Sequence, residues 1–414
     1  MANEQKGPFD PSIVNEQYYH GLLPREDIKI MLRRNGEFLL RTTEPTKEAT
    51  RSYVLSVMVY QEKEENGIKH YVIQNHHGRW SIEKFGFDSI KAMIDYHMSK
   101  GDSISKVLNN VILKTPILRQ SWELAHEDIQ CVKRLGEGAF GEVHKGTLKK
   151  GGNVIDVAIK LAKLEALTKE QIKEIMREAR LMRNFHHANV VRFFGVAAGQ
   201  EPLMVVMELA DCGSLDSFLQ KNEQPVEKKN EMCVQAAYGV EYLHKENVIH
   251  RDLAARNCLY GNGQVKISDF GLTREGTVYQ MDPHTRVPIR WLAPETLRVF
   301  IYTQKTDVWA FGIMCWEIYS NGQEPYPGMS PGETFVKVKD EQYRMTLPPC
   351  TPPEMVNFIT QKCWAENPND RYSMQELAHK LEMWWRVPRQ PYQGTPVDNF
   401  ARRVKKNKKS FQKG

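Results

Sequence analysis

The pattern of hydrophobic and polar positions divides the chain into three regions. Between residues 18 and 113, strand-like alternation at 37–41, 52–59 and 69–74 stands beside helical periodicity at 26–33 and 89–97. From residue 129 the pattern is first rich in strands and then helical from about Ser214, and its longest apolar run, 308–316, predicts a buried helix. The order predicts an α+β fold with a small mixed domain followed by a sheet lobe and a helical lobe.

Breaks in this pattern give the expected boundaries. Thr115-Pro116 and the short polar stretch after it predict a linker, and the Pro, Gln, Gly, Asn, Lys and Arg beyond Pro388 predict disorder. We therefore expect an N-terminal tail at 1–17, a first domain at 18–113, a linker at 114–126, a second domain at 127–387 and a disordered basic tail at 388–414.

The composition is that of a packed globular protein, with 41% hydrophobic and 26% charged residues in 414. The seven cysteines are scattered without a C-x-x-C pair, and no Asn-x-Ser/Thr sequon occurs, which favours a reducing compartment over a disulfide framework or structural zinc. The sequence shows no secretory signal, no glycine for N-myristoylation and no membrane-spanning stretch. We expect a cytoplasmic protein, and a nuclear location stays open.

The net charge of +6 comes from the end of the chain. Residues 401–414 carry seven Lys or Arg and no acid, which leaves the first 400 residues at −1. We therefore expect no specific nucleic-acid surface on the folded part. Three interpretations of the basic tail stay open: contact with an anionic membrane surface, including the cytoplasmic face of a membrane, a nuclear signal, or a solvated end.

A glycine-rich motif, Gly136-Glu137-Gly138-Ala139-Phe140-Gly141-Glu142-Val143, follows a strand-like run. Glycines let a backbone approach phosphates closely, so the motif is a candidate cover for a nucleotide. By itself it fits a Rossmann turn or a plain hairpin equally well. A Rossmann turn would enter a helix, whereas residues 142–148 alternate like a strand, so the sequence predicts a hairpin.

Lys160 ends a second strand-like motif, Val157-Ala158-Ile159-Lys160, in which it shares a face with the small Ala158. Thr168-Lys-Glu-Gln171 then predicts a capping box that opens a helix, and Glu178 lies at the margin of the apolar stripe of that helix. Glu178 could turn inward and pair with Lys160. An exposed lysine and a solvated glutamate are the alternative interpretation.

The densest chemistry lies in the helical region. Asp252 and Asn257 stand on an irregular loop, and a short strand leads from it to Asp269-Phe-Gly271. Three groups able to handle metal and oxyanion chemistry within eighteen residues exceed what a structural core requires. With the glycine motif and Lys160, they make residues 129–386 resemble a protein kinase domain. Ala255-Arg256 and the stretch 288–291, Pro-Ile-Arg-Trp, resemble a tyrosine kinase in particular.

The resemblance implies a role for each polar group. Asp252 would accept the proton of the substrate hydroxyl, and Arg256 would steady the substrate tyrosine. Asn257 and Asp269 would hold Mg²⁺, with Mn²⁺ as a substitute. Lys160, fixed by Glu178, would hold the α- and β-phosphates of ATP.

The resemblance also implies the rest of the ATP site and its support. The ATP contacts would be Leu135, Gly136, Glu137, Gly138, Ala139, Phe140, Gly141, Val143, Ala158, the gatekeeper Met207, the hinge residues Glu208 and Leu209, and Leu259. Asp307 would buttress the catalytic loop, and Arg371 would pair with Glu295.

Tyr279 lies ten residues after Asp269, in the stretch that corresponds to a kinase activation segment. We predict that it is an autophosphorylation site, because a phosphate of about −2 charge orders such segments when cations are near. Arg251 and Arg274 are the candidate cations. An unmodified loop tyrosine is the alternative.

The first domain carries a second candidate site. Arg41 lies in the otherwise apolar Phe38-Leu-Leu-Arg41-Thr-Thr43, and by itself reads as an arginine at a strand edge. The order of Tyr18-Tyr-His-Gly21, this strand and Lys69-His70-Tyr71 resembles an SH2 domain. The resemblance implies that Arg41 grips a phosphotyrosine, with Arg25, Thr43 and His70 completing the pocket.

The order of the two domains resembles the Fes/Fer class of non-receptor tyrosine kinases, without the F-BAR and coiled-coil half of that class. The resemblance implies phosphotyrosine proteins and tyrosine substrates as partners, and an SH2 domain that packs on the sheet lobe and favours the active helix position. A catalytically inactive SH2 adaptor is the main alternative. A serine/threonine kinase is a second one, opposed by Arg256 and the stretch 288–291.

Overall fold

The computed structural model describes residues 9–43, 51–83, 85–138, 141–162 and 168–392. The chain divides into two compact units. The first comprises residues 1–183 and 194–207, and the second comprises residues 184–193 and 208–414. Each unit is described by itself.

The first unit begins with a mixed sheet flanked by two helices. Strand order is β1-β2-β3-β4, with β7 paired to β2. Alternation along β2 places Phe38 and Leu40 in one core, with Trp80 and Ile94, and Leu39 in another, with Ile28. The elements are β1 Tyr19–Leu22, α1 Arg25–Met31, β2 Glu37–Thr42, β3 Tyr53–Met58, β4 Ile68–Val72, β5 Gln74–His76, β6 Arg79–Ser81, α2 Ile90–Lys100 and β7 Thr115–Pro116.

One predicted strand differs from the observed structure. The stretch 69–74 is split, because β4 ends at Val72 and the buried Ile73 bonds through its N–H to the carbonyl of Tyr53. Gln74 then starts β5, which pairs with β6 in a separate two-stranded sheet. Alternation continues through Ile73, so the sequence pattern does not reveal the change of sheet.

The rest of the first unit is a five-stranded sheet with one helix. Its order is β11-β12-β10-β9-β8, and its core holds Leu148, Val157, Ile159 and Val206. The predicted capping box is present, since Thr168 and Gln171 bond reciprocally at the start of the helix. The elements are β8 Ile129–Gly138, β9 Gly141–Lys150, β10 Asn153–Ala162, α3 Lys169–Met182, β11 Phe193–Ala197 and β12 Leu203–Glu208.

The second unit is mainly helical. The apolar run 308–316 lies in α7, every residue of which from Thr306 to Tyr319 is buried, as the sequence predicts. The helices are α4 Leu215–Lys221, α5 Val226–Lys245, α6 Pro294–Val299, α7 Gln304–Tyr319, α8 Pro331–Lys339, α9 Pro353–Asn357 and α10 Met374–Trp384, with a π-helical turn at Phe358–Cys363. The strands are β13 Val248–Ile249, β14 Cys258–Gly261, β15 Gln264–Ile267, β16 Arg274–Glu275, β17 Val278–Gln280 and β18 Ile301–Thr303.

Helices and sheets of both units give the α+β class that the sequence predicts. Within the described ranges, no helix combines the length and the hydrophobicity needed to cross a bilayer.

Candidate active site and phosphotyrosine pocket

The glycine-rich motif forms the predicted hairpin. Strands β8 and β9 pair as far as Gly138 opposite Gly141, and Ala139 and Phe140 lie outside the described residues. Gly141 has a φ of +151°, and a Cβ there would lie 2.0 Å from the Leu161 carbonyl oxygen, so no side chain fits. At Gly136 a Cβ would meet nothing within 4 Å, which leaves this backbone open to a ligand.

The structure brings Lys160 and Glu178 together. The Nζ of Lys160 on β10 lies 3.4 Å from Oε1 of Glu178 on α3. Burial of Ile172, Ile175, Met176 and Ala179 fixes the face that α3 turns to the core. The other predicted ATP contacts of this unit are distributed as follows: Leu135 exposed, Val143 and Ala158 half-buried, Met207 buried.

The catalytic loop in the second unit holds Asp252 and Arg256 in direct contact. Nη2 of Arg256 lies 2.6 Å from Oδ1 of Asp252, and Nδ2 of Asn257 donates to the Asp252 carbonyl at 2.8 Å. Asp252 is half-buried, so its carboxylate is both oriented and accessible. A group in this state can accept a proton from a hydroxyl placed against it.

Asp307 supports this loop from α7. Its fully buried carboxylate accepts the backbone N–H groups of His250 at 2.8 Å and Arg251 at 2.9 Å, and lies 2.9 Å from Nε2 of His244. Arg251 has a φ of +71°, which these bonds stabilise. His250 is fixed as the Nε2–H tautomer, because Nε2 faces the Ser268 carbonyl and Nδ1 accepts the Asp252 N–H.

The residues predicted to hold Mg²⁺ offer oxygen ligands. The amide nitrogen of Asn257 is engaged with Asp252, which leaves the amide oxygen for a cation. Ser268, next to Asp269, donates its N–H and its hydroxyl to the Asn257 carbonyl, so Asn257 and Asp269 lie on adjoining backbone. In the described part of the chain, no three His, Cys, Asp or Glu could hold a metal by themselves. Two oxygen ligands suit Mg²⁺, which keeps waters and takes phosphate oxygens.

The predicted hinge residues Glu208 and Leu209 are the first two residues of the segment 208–414 of the second unit. The Glu208 N–H donates to the Arg192 carbonyl, so the carbonyl of Glu208 is its backbone group for a ligand. The carboxylate of Glu208 is held by Lys266 at 3.0 Å. Leu209 and Leu259 are both half-buried.

Tyr279 lies between the two predicted cations. Its ring centroid is 4.0 Å from the guanidinium carbon of Arg251 and 5.4 Å from that of Arg274. The strand β17 that carries it pairs with β18, with Tyr279 opposite Tyr302. Burial and the charge of Arg274 lower the pKa of Arg251. An anion bound near Tyr279 would offset the repulsion between these two guanidinium groups.

The residues of the predicted phosphotyrosine pocket surround the strand β2. Arg41 is 3% exposed, with Nη1 3.5 Å from the Leu23 carbonyl. The hydroxyl of Thr43 accepts the Ser52 N–H at 3.0 Å, and residues 44–50 lie outside the described residues. Arg25 and His70 line one surface depression. Burial, then the charges of Arg41, Arg25 and Lys69, lower the pKa of His70 to about 4, as expected of a pocket rich in positive charge.

Sequence reasoning missed two contacts between the first domain and the sheet with α3. The carboxylate of Asp27 on α1, 1% exposed, binds Arg180 at 3.0 and 2.8 Å and Arg183 at 3.0 Å. His20 lies between the carboxylate of Glu123 and the Ile117 carbonyl, each 2.8 Å from a ring nitrogen. An acid in the first turn of a helix reads as a helix-end charge, so no local signal identifies Asp27.

Sequence reasoning also missed Glu317 on α7. Its carboxylate accepts the Ala255 N–H and the indole N–H of Trp291, each at 3.0 Å. An acid between the apolar neighbours Trp316 and Ile318 is the one signal that could have found it, because an acid in such a run needs partners.

Comparisons with known proteins identify both domains. Residues 18–97 match the SH2 domain family, and residues 129–381 match the family described as protein tyrosine and serine/threonine kinase. Fer-related kinase 1 of Caenorhabditis elegans is 38% identical over 395 residues, which cover 92% of this chain and 98% of that protein.

Two further relatives are longer proteins. Human tyrosine-protein kinase Fer is 37% identical over 375 residues, 89% of this chain and 44% of Fer. The transforming protein Fps of avian sarcoma virus strain PRCII is 35% identical over 375 residues, 89% of this chain and 68% of Fps. The chain thus spans less than half the length of human Fer. These matches confirm the predicted tyrosine kinase function, with ATP as phosphate donor. The chain belongs to the Fer-related tyrosine-protein kinases, with an SH2 domain ahead of its kinase domain.

Proposed function

We propose that the chain transfers the γ-phosphate of ATP to protein tyrosines with Asp252 as the general base and Arg256 as the residue that steadies the substrate ring. Asp252 accepts the phenolic proton while the phenolic oxygen bonds to the γ-phosphorus and the bond to ADP breaks. The observation that carries this proposal is the 2.6 Å pair of Asp252 and Arg256 on a loop fixed by Asp307. Such a loop supplies position and charge rather than covalent chemistry.

Candidate phosphate ligands in the first unit lie on β8 and β10. Lys160, oriented by Glu178 at 3.4 Å, would bind the α- and β-phosphates, and the backbone at Gly136 is open to a ligand. In the second unit, Asn257 and Asp269 would hold Mg²⁺, or Mn²⁺ in its place, and the ion would neutralise phosphate charge. The other ATP contacts are those that the resemblance implies, with Met207 as gatekeeper.

Tyr279 is an autophosphorylation site of this kinase. A phosphate on its ring lies within reach of Arg251 and Arg274, whose guanidinium groups already contact the ring. Charge-assisted hydrogen bonds to two arginines order the segment that carries Tyr279.

The SH2 domain binds phosphotyrosine proteins through Arg41, with Arg25, Thr43 and His70 around it. Burial is the main cause of the lowered pKa of His70, and the charges of Arg41, Arg25 and Lys69 lower it further, so these three cations lie close enough to His70 to support this assignment. The exposed side chains of Val72, Phe85 and Val107 favour an extended peptide with an apolar residue a few positions after the phosphotyrosine.

The SH2 domain supports catalysis through α3. Arg180, which binds Asp27, lies two residues after Glu178, which binds Lys160. A fixed position of the SH2 domain therefore favours the position of α3 in which the Lys160–Glu178 pair forms. The backbone contact from the Leu22 N–H to the Ala198 carbonyl, at 2.9 Å, adds to this docking. This contact requires a glycine at position 21, because a Cβ on Gly21 would lie 2.1 Å from the Ala198 carbonyl oxygen.

We place the protein in the cytoplasm, where a chain with scattered thiols and phosphotyrosine partners functions. Attraction of the basic tail to an anionic membrane surface is a further proposal that rests on sequence alone. The disordered tail predicted at 388–414 lies outside the described residues from 393 onward.

The direct test supplies the chain with ATP, Mg²⁺ and a pool of peptides that carry tyrosine, serine and threonine. Phosphoamino acid analysis should find phosphate on tyrosine alone. Phosphoserine or phosphothreonine in equal amount would refute the proposed substrate class, and no phosphate on any peptide would favour the inactive adaptor.

A further inference from the structure

Glu317 joins the catalytic loop to the segment that precedes α6. It lies on α7 and is 3% exposed. One carboxylate oxygen, Oε2, accepts both the backbone N–H of Ala255 and the indole N–H of Trp291, each at 3.0 Å. Ala255 directly precedes Arg256 in the catalytic loop. A single buried carboxylate therefore holds two segments that are 36 residues apart.

Trp291 is held on its face as well as on its edge. The guanidinium carbon of Arg256 lies 4.0 Å from the centroid of the Trp291 ring, and its Nη2 binds Asp252 at 2.6 Å. Among the described residues, the buried Nη1 of Arg256 has no hydrogen-bond partner. The contacts form a chain from Glu317 through Trp291 to Arg256 and from there to Asp252, so the position of Arg256 depends on the indole beneath it.

We propose that Glu317 is a positioning residue for the substrate tyrosine, which acts through Trp291 and Arg256 and whose negative charge strengthens binding of the protein substrate. The inference rests on the proposed role of Arg256 and adds a residue that does not itself touch the substrate. An ionised carboxylate accepts hydrogen bonds more strongly than a neutral one. Loss of the charge therefore loosens Trp291, and Arg256 with it.

The surroundings of Glu317 make its charge variable near neutral pH. Burial raises the pKa of its carboxyl to about 7, against the bonds from Trp291 and Ala255 and the charge of Arg256, which lower it, while the nearby charge of Asp216 raises it. The buried Cys258 thiol also faces Glu317, and burial raises the pKa of this thiol so that it stays neutral. The carboxylate is thus ionised above about pH 7 and neutral below it.

The test measures KM for a tyrosine peptide and KM for ATP between pH 6 and pH 8.5, in the full chain and in Glu317→Gln. The glutamine keeps an acceptor oxygen and lacks the charge. We expect peptide KM of the wild type to rise about fivefold from pH 8 to pH 6. This is the weakening of binding expected when a hydrogen bond to an ionised carboxylate becomes a hydrogen bond to a neutral carboxyl. In Glu317→Gln, peptide KM should already be high at pH 8 and constant with pH, while KM for ATP stays at the wild-type value.

Two further variants make the result specific. Trp291→Phe keeps a ring for Arg256 and removes the indole N–H, so it should raise peptide KM, and the double variant should raise it no further. Glu231→Gln is the control: Glu231 is a half-exposed carboxylate on α5 that pairs with Lys228. This variant should keep the wild-type pH profile of peptide KM.

The outcomes separate this inference from the proposed function. Parallel KM profiles of wild type and Glu317→Gln, or additive effects in the double variant, would overturn the inference alone. A wild type that never phosphorylates tyrosine would overturn the proposed function, and the inference with it.

Discussion

The buried carboxylate of Asp27 in the SH2 domain and the partly exposed Arg180 of the kinase helix α3 form a bidentate ion pair, with oxygen–nitrogen distances of 3.0 and 2.8 Å. Arg183, the residue that caps the C-terminal end of α3, binds the same carboxylate, and its guanidinium carbon lies 4.7 Å from the centroid of the Trp122 ring. The partners lie 153 residues apart in sequence. Removing one partner of such a group leaves buried charges unpaired, which is far more costly than losing a surface ion pair.

We predict that Asp27→Asn lowers kcat/KM on a peptide that contains no phosphotyrosine by about fivefold or more, the range of typical coupling free energies. The reason is that α3, which carries Glu178, loses its anchor on the SH2 domain. Asp88→Asn, whose side chain is 90% exposed in the same domain, serves as control and should match the wild type. Equal kcat/KM in all three proteins would refute coupling through this pair.

Arg41→Ala should weaken binding of a phosphotyrosine peptide by roughly a hundredfold or more, because truncating a buried charged partner costs about 2–5 kcal/mol. Titration of the full chain with a labelled phosphopeptide measures this. Arg41→Lys should also bind weakly, since an ammonium cannot form two parallel bonds to phosphate. Arg34→Ala, at an exposed arginine, is the control. Unaltered affinity in Arg41→Ala would remove the assignment of the pocket.

Tyr279→Phe should lose both a phosphorylation site and the activation that follows from it. After preincubation with ATP, we expect wild-type activity to rise by about tenfold or more, because the phosphate on Tyr279 forms new charge-assisted hydrogen bonds to arginine. The variant should remain at its starting rate. Phosphopeptide mapping and a timed activity assay provide the measurement. Tyr343→Phe should behave as wild type. Phosphate content and activity that are unchanged in Tyr279→Phe would contradict the prediction.

His187 should make stability depend on pH. Burial, then the charge of Arg389, lower the pKa of His187 from 6.5 to about 4. Between these values the unfolded chain binds a proton that the folded chain does not, so the free energy of unfolding falls as pH falls through this window.

The variant His187→Asn isolates this contribution and retains an acceptor for the Asn189 N–H. Urea unfolding at pH 7.5 and 5.5 should show the wild type losing about 1 kcal/mol relative to the variant at the lower pH. A stability difference that is independent of pH would contradict the assignment of a neutral His187.

Local signals made much of the fold predictable. The capping box at Thr168, the hairpin after Gly136 and the buried helix at 308–316 each depend on neighbours within one element, so the sequence alone identifies them. The proposed catalytic residues of the second unit stand in a compact motif, and the structure joins Asp252 and Asn257 by a hydrogen bond of 2.8 Å across five positions.

The remaining contacts depend on residues that are distant in sequence. Asp27 and Glu317 each gain their role from partners that only the folded chain brings close, Arg180 and Trp291 respectively. The split of the strand predicted at 69–74 has a similar cause, because Ile73 keeps the alternation of a strand while its N–H pairs with the Tyr53 carbonyl. The hydrophobic pattern of a sequence indicates which residues are buried. The contacts of Asp27 and Glu317 and the split strand depend instead on which distant residues each one packs against, and the pattern does not contain that information.

The central claim is that Asp252 serves tyrosine phosphorylation in this chain. The most direct measurement compares initial rates of phosphotyrosine formation with ATP and Mg²⁺ for the wild type, Asp252→Asn and the exposed control Asp156→Asn. We predict equal rates for the wild type and Asp156→Asn, and a kcat lower by about 10²–10⁴ for Asp252→Asn, the usual contribution of a general base. A wild type that forms no phosphotyrosine, or an Asp252→Asn variant as fast as the wild type, would contradict the claim.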